Sequence, residues 1–152
     1  SEQSPGNTGN SNTNNTSSQF ITSELRLSAL METDNNKELE TYQAIQTDKF
    51  VGSFVIKNDN SPDNNTEVVV VLIQPDGKVL QKSSWESGTF NTRDGKKIYS
   101  YKLSFNYAKG EQKQLLFSLK ADKYQKGNYT MQVYYNGIMI GRVSKTLSWT
   151  AR

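Results

Sequence analysis

Residues 127–141 read GNYTMQVYYNGIMIG. Tyr129, Met131, Val133 and Tyr135 alternate with Thr130, Gln132 and Tyr134 up to Asn136-Gly137. Period-two alternation puts the first set on one face of a strand and the second on the other. Asn-Gly supplies the two positive φ angles of a type I′ turn, the tightest link between antiparallel strands. Ile138 to Trp149 then returns. The segment is a β-hairpin with an apolar face, and such a face must be covered by a second layer.

The rest of the chain repeats this signal. Tyr99, Tyr101, Leu103, Phe105 and Tyr107 share one strand face, with Ser100, Lys102, Ser104 and Asn106 on the other. Leu115, Phe117 and Leu119 form the next core face. EVVVVLIQ at 67–74 is apolar on both faces and reads as a central strand. Pro75-Asp76-Gly77 turns, and Lys78 to Lys82 is its hairpin partner. Phe50, Phe54 and Ile56 alternate with Ser53 and Lys57. Ile21, Leu25, Leu27, Ala29 and Met31 alternate with Thr22, Glu24, Arg26 and Ser28. Residues 32–41 read as a polar connection with a short helical turn, and Tyr42 to Gln46 as a short edge strand. About seven to nine strands follow, with no amphipathic helix and no internal repeat. The expectation is an all-β antiparallel sandwich over residues 20–152, with a barrel as second choice.

The hairpin also carries a resemblance. Gly127, Tyr129, Met131, Val133 and Tyr135, the Asn136-Gly137 turn and Ile140-Gly141 resemble a pattern of bacterial Ig-like sandwich domains, in which G-x-Y-x-V-x-V-Y leads through N-G to an I-G return strand. The resemblance covers about 20 residues and implies an Ig-like fold, which hosts many unrelated roles.

Residues 1–19, SEQSPGNTGNSNTNNTSSQ, differ in kind from everything after them. They hold no Leu, Ile, Val, Met or aromatic residue, and Glu2 is their one charge. With no apolar surface to bury, nothing offsets the entropy of ordering them, so they read as a disordered tether. The chain starts at Ser1 without Met or signal peptide and reads as a mature or trimmed product. Its start resembles the Ser/Asn/Gly-rich tail that follows the lipidated Cys of bacterial lipoproteins. That resemblance implies a lipid-anchored protein of the periplasm or cell surface, touching the membrane only through its anchor. The plainer alternative is an ordinary interdomain linker.

Composition narrows the chemistry. There is no Cys and no His. Disulfides, thiolate metal sites, Cys nucleophiles, Ser-His-Asp catalysis and His-based zinc sites are therefore excluded on inventory. Asp59-Asn60-Ser61-Pro62-Asp63 resembles the first positions of a calcium loop, but Asn64 stands for the usual Gly and Val70 for the closing Glu. No metal and no cofactor are expected. Ser144 and Lys145 are adjacent on a strand and point to opposite faces, so they make no catalytic dyad. Glycosidase chemistry needs two carboxylates in a cleft, and the acidic residues lie mostly in turns and polar strand faces. The chain reads as a non-enzyme.

Charge is segregated. Residues 1–92 hold 6 Lys/Arg and 12 Asp/Glu, whereas residues 93–152 hold 12 and 3, within a net charge of +3. Lys96, Lys97 and Arg142 are candidates for a basic face that meets an acidic partner, unless they are simply solvated strand positions. No Arg-rich segment or recognition helix points to nucleic acid. Trp85, in the polar loop KSSWESGTF, is a candidate for stacking on a sugar or anchoring an interface. Tyr134 is either an exposed contact or packed beneath a loop. The function expected is a non-catalytic binding or assembly module of an envelope lipoprotein, contacting a protein partner. The alternative is a carbohydrate-binding module built on exposed aromatics.

Overall fold

The computed structural model describes residues 20–60, 64–81 and 88–149. The segment read as a tether and the loop carrying Trp85 lie outside the described residues. Ten strands are present among the described residues: β1 (Ile21–Glu32), β2 (Glu38–Thr41), β3 (Lys49–Lys57), β4 (Asn64–Ile73), β5 (Thr89–Thr92), β6 (Gly95–Ile98), β7 (Tyr101–Tyr107), β8 (Lys113–Leu119), β9 (Gly127–Tyr135) and β10 (Ile138–Leu147). Two four-stranded sheets, ordered β2-β1-β3-β8 and β10-β9-β4-β7, accompany a separate β5–β6 hairpin. Every ladder is antiparallel. The chain crosses between the sheets at β3–β4, β7–β8 and β8–β9. This is the Ig-like β-sandwich expected from the sequence.

In β3, β8 and β9 the alternation seen in the sequence is the alternation that packs. A bulge between Ser23 and Arg26 in β1, however, leaves Ile21 73% exposed. Tyr99, which precedes β7, packs with Val69, Val71 and Tyr134 rather than on the face of Tyr101. In β3, Phe50, Phe54 and Ile56 are fully buried, with half-buried residues between them. They meet Val68, Val70 and Leu72 of β4 and Tyr129, Met131 and Val133 of β9, all fully buried. Removing each such side chain from water contributes about 1.5–3 kcal/mol before entropy is charged. Gly52 stands between Phe50 and Phe54 because nothing larger fits. A Cβ there would lie 2.3 Å from Cε1 of Phe117 and 2.8 Å from the Met131 sulfur.

β4 lies between β9 and β7, as its two-faced apolar sequence requires. Its outward Val69 and Val71 form a second small core with Tyr134. Phe90 of β5 seals that core, edge-on to Tyr134 with ring centroids 5.1 Å apart. The β5–β6 hairpin therefore lies on the outer face of the second sheet. The tip between β9 and β10 has φ 52° at Asn136 and 78° at Gly137, the type I′ geometry that Asn-Gly favours.

Two buried tyrosines tie loops to the sandwich. The Tyr129 hydroxyl accepts the backbone N–H of Gln125 at 2.8 Å. That is the tyrosine corner of Ig-like domains, placed at the start of β9. The Tyr107 hydroxyl accepts the Asn58 N–H at 2.7 Å and donates to the Glu111 carbonyl at 2.5 Å.

Three further local expectations change. The count rises from seven to nine strands to ten, because β2 and the β5–β6 hairpin bury too little to show alternation. In β2 only Thr41 is buried. Residues 42–46 are not a strand: Gln43 makes one parallel bridge to Ser148, and Ala44–Gln46 is a 3-10 turn. The partner of β4 after the Pro75-Asp76-Gly77 turn shrinks to a bridge between Ile73 and Val79, followed by a Leu80 N–H to Leu72 carbonyl bond.

Candidate binding surfaces

One corner of the sandwich gathers large apolar side chains that are not buried. Tyr42, Ile45 and Trp149 are 62%, 69% and 51% exposed. They come together through backbone pairing. The Ser148 N–H donates to the Tyr42 carbonyl and the Ala44 N–H to the Ser148 carbonyl, both at 2.7 Å. Thr47 Oγ1 donates to the Gln43 carbonyl at 2.8 Å and closes the turn that presents Ile45. On the other side, the Tyr124 hydroxyl donates to the Asp48 carbonyl at 2.8 Å and accepts the Ala121 N–H at 2.9 Å. A groove of about 500 Å³ runs between these segments, lined by Ile45, Thr47, Asp48, Asp122, Tyr124 and Trp149 among others. Burial pushes the Tyr124 phenol up from its ordinary value. The carboxylate of Asp48 is occupied, accepting the Glu32 N–H at 2.6 Å.

A charged clasp flanks this corner and joins the two sheets. Lys145 of β10 reaches Glu40 of β2 at 3.2 Å, and Arg26 reaches the same carboxylate at 3.0 Å. The Lys145 ammonium also lies 3.5 Å from the centroid of the Tyr42 ring. Partial burial pushes the Glu40 carboxyl up, but Lys145 and Arg26 outweigh it and hold the group below its ordinary value. Tyr42 is thus an exposed ring held in place by a cation on one face.

The predicted site residues fall in different places. Lys96 and Lys97 are exposed on β6, and Arg142 is exposed on β10. Among the described residues, none of the three joins an ion pair, and neither does Arg93 at the hairpin tip. Other second-half lysines are neutralised by first-half carboxylates: Lys102 by Glu67, Lys120 by Glu32 and Lys145 by Glu40. Interleaving of strands from both halves therefore removes part of the segregation seen in sequence. Tyr134 takes the packed alternative. It is 5% exposed beneath Phe90, and its hydroxyl donates to Gln132 Oε1 at 3.2 Å. Its ring offers no stacking face to a ligand, because the β5–β6 hairpin covers it. Trp85 lies outside the described residues. The corner of Tyr42, Ile45 and Trp149 was not singled out from sequence, since these residues become neighbours only through the Gln43–Ser148 bridge. Among the described residues, no group of three or more Asp, Glu, His or Cys is placed to hold a metal, and no helix is long and apolar enough to cross a membrane.

Residues 23–148 match the family described as Domain of unknown function (DUF8428). The chain belongs to this family. No curated protein matches it. Among solved structures the domain is similar to part of β-glucosidase 3B from Thermotoga neapolitana, with TM-score 0.52, 11% identity, and coverage of 86% of this chain and 16% of that one. A β-D-glucoside glucohydrolase from Trichoderma reesei gives TM-score 0.53, 10% identity, and coverage of 86% and 19%. An alkylpurine DNA glycosylase from Pseudomonas fluorescens gives 0.52, 12% identity, and coverage of 84% and 30%. The domain thus spans less than a third of each of these chains. At such identities the likeness concerns the sandwich fold alone, and one fold shared by enzymes of unrelated chemistry carries no function with it.

Proposed function

We propose that this domain is a non-catalytic binding module of a bacterial cell-envelope lipoprotein, and that it contacts a protein partner through the corner formed by Tyr42, Ile45 and Trp149. The observation that carries the reading is that Ile45 and Trp149 line one groove, with Tyr42 joined to them through backbone pairing, all three more than half exposed on a backbone fixed from both sides. Aromatic and apolar anchors gathered on a rigid frame are what protein interfaces use as hot spots. Ile45 favours a protein over a sugar here, because an aliphatic tip gives hydroxyl groups nothing to bond. The unpaired cations of the β5–β6 hairpin support an acidic character for the partner or its approach path. The envelope location rests on the composition of residues 1–19 and its likeness to a lipoprotein tail. The absence of Cys and His supports the non-catalytic reading.

The test is affinity capture with the whole chain as bait, from detergent-solubilised envelope of the source cells. A protein retained by the wild type should be lost with Trp149→Ala and with Ile45→Asp, each weakening binding by about 2 kcal/mol or roughly thirtyfold. Identical capture by wild type and both variants, or capture of polysaccharide without protein, overturns the reading. The anchor is tested separately, by labelling the full-length protein in cells with a palmitate analogue. An unlabelled protein removes the lipid anchor from the proposal.

A further inference from the structure

The far end of the domain has the opposite chemistry. Residues 136–137 join β9 to β10 at one end of the hairpin, whereas Gly127 and Leu147 pair at the other, beside the Trp149 corner. Two adjoining grooves lie at the 136–137 end and share Asn65, Thr66 and Glu67. One, of about 320 Å³, is walled by Phe90, Asn91, Tyr135 and Asn136. The other continues over Ser104 and Asn106 of β7. Four asparagines from four parts of the fold thus border one surface: Asn65 from β4, Asn91 from β5, Asn106 from β7 and Asn136 from the β9–β10 turn. All four are exposed.

The placement is fixed by the framework rather than by the loops. Asn65 and Asn106 are directly opposed in the β4–β7 ladder and so point to the same side. Asn91 is held against the turn: a Cβ on Gly137 would lie 2.6 Å from the Asn91 carbonyl oxygen. Among the described residues, none of these four amide side chains is engaged in a hydrogen bond. Each brings two N–H donors and one carbonyl acceptor in a plane. Glu67 adds an acceptor beside them, and Ser104 Oγ donates to it at 3.5 Å. Lys102 lies 3.9 Å from the same carboxylate, which leaves the surface close to neutral. Phe90 adds half-buried ring surface at the wall, whereas the Tyr135 ring turns inward and packs edge-on against Phe20, 4.8 Å between centroids.

We infer that this groove is a binding site for a neutral oligosaccharide. Planar amides that donate and accept side by side match vicinal sugar hydroxyls, which also do both. The Phe90 ring supplies apolar surface against which the C–H face of a pyranose can pack. A protein partner would need a large exposed apolar anchor, and this surface has none. An anionic polymer would meet the Glu67 carboxylate inside the groove, and the unpaired Lys96, opposite Asn91 in the β5–β6 ladder, is not part of the groove lining. The site is separate from the Trp149 corner, so the domain would hold a glycan at one end and a protein at the other.

The test is a titration of the ¹⁵N-labelled chain with cellohexaose, chitohexaose and mannohexaose, following the side-chain NH₂ signals of the four asparagines. At least one sugar should shift these signals saturably. The Asn65→Ala/Asn91→Ala variant should weaken that binding about tenfold or more, as expected when two hydrogen-bonding groups are lost. The Asn106→Ala variant should weaken it to a lesser degree. Ile45→Asp should leave it unchanged, which separates this site from the protein-binding corner. No saturable shift with any of the three sugars, or shifts indifferent to the asparagine variants, overturns the assignment.

Discussion

At the scale of single residues, the interior of the sandwich is set by close approaches that leave no slack. Gly52 and Phe117 face each other in the β3–β8 ladder, and the Phe117 ring occupies the space a side chain at position 52 would need. Gly52→Ala should therefore cost about 1–3 kcal/mol through overpacking rather than through backbone freedom. Thermal unfolding should show a Tm several degrees lower. Phe117→Leu in the same chain should restore part of that loss, because the two changes act on one space. Strictly additive losses would show that the ring does not fill the site. The tyrosines behave differently. Tyr129 was legible as a core residue from its place in the alternation, but its hydroxyl bond to Gln125 was not, since it depends on how residues 120–126 cross over.

At the scale of elements, legibility followed burial. β3, β4, β7 and β9 each present a face to the core, so their sequences alternate or run apolar on both sides. β2 and β6 touch the core hardly at all, and their sequences carry no period to read. The β5–β6 hairpin is held to the sheet by one main anchor, Phe90, which meets Tyr134 and Tyr99. An isolated two-stranded hairpin is marginal in water. Phe90→Ala should release it while leaving the sandwich folded. Hydrogen exchange should then quicken about tenfold or more at the amides of residues 89–98, with β3 amides unchanged. Equal acceleration in β3 and β9 would show that the hairpin is part of the global folding unit. The same logic explains why the Trp149 corner escaped the sequence. Its members lie just past the end of β2, in a 3-10 turn and just past the end of β10, and no periodicity connects them.

At the scale of the whole molecule, the absence of His and Cys leaves no side chain that ordinarily titrates between the carboxylates and the tyrosines. The pH dependence of stability should therefore be a plateau with two edges. On the acid side, Glu40 is held below its ordinary 4.5 by Lys145 and Arg26 despite partial burial. A lowered folded value means its contribution is complete above 4.5 and is lost as pH falls through the folded value. On the alkaline side, burial raises both Tyr124 and Tyr129 above 10.0. A raised folded value means the contribution is complete below 10.0 and is lost as pH rises through the folded value. Lys49, raised by its hydrogen bond to Glu38, acts in the same direction. Tm measured across pH should be flat from about 5.5 to 9 and fall on both sides. Glu40→Gln should lower the plateau slightly and make the acid edge shallower, because the pair it breaks is partly exposed and weak. Tyr124→Phe should make the alkaline edge shallower while the acid edge stays as it is. A sloping plateau, or an alkaline edge untouched by Tyr124→Phe, would place the controlling groups elsewhere in the fold.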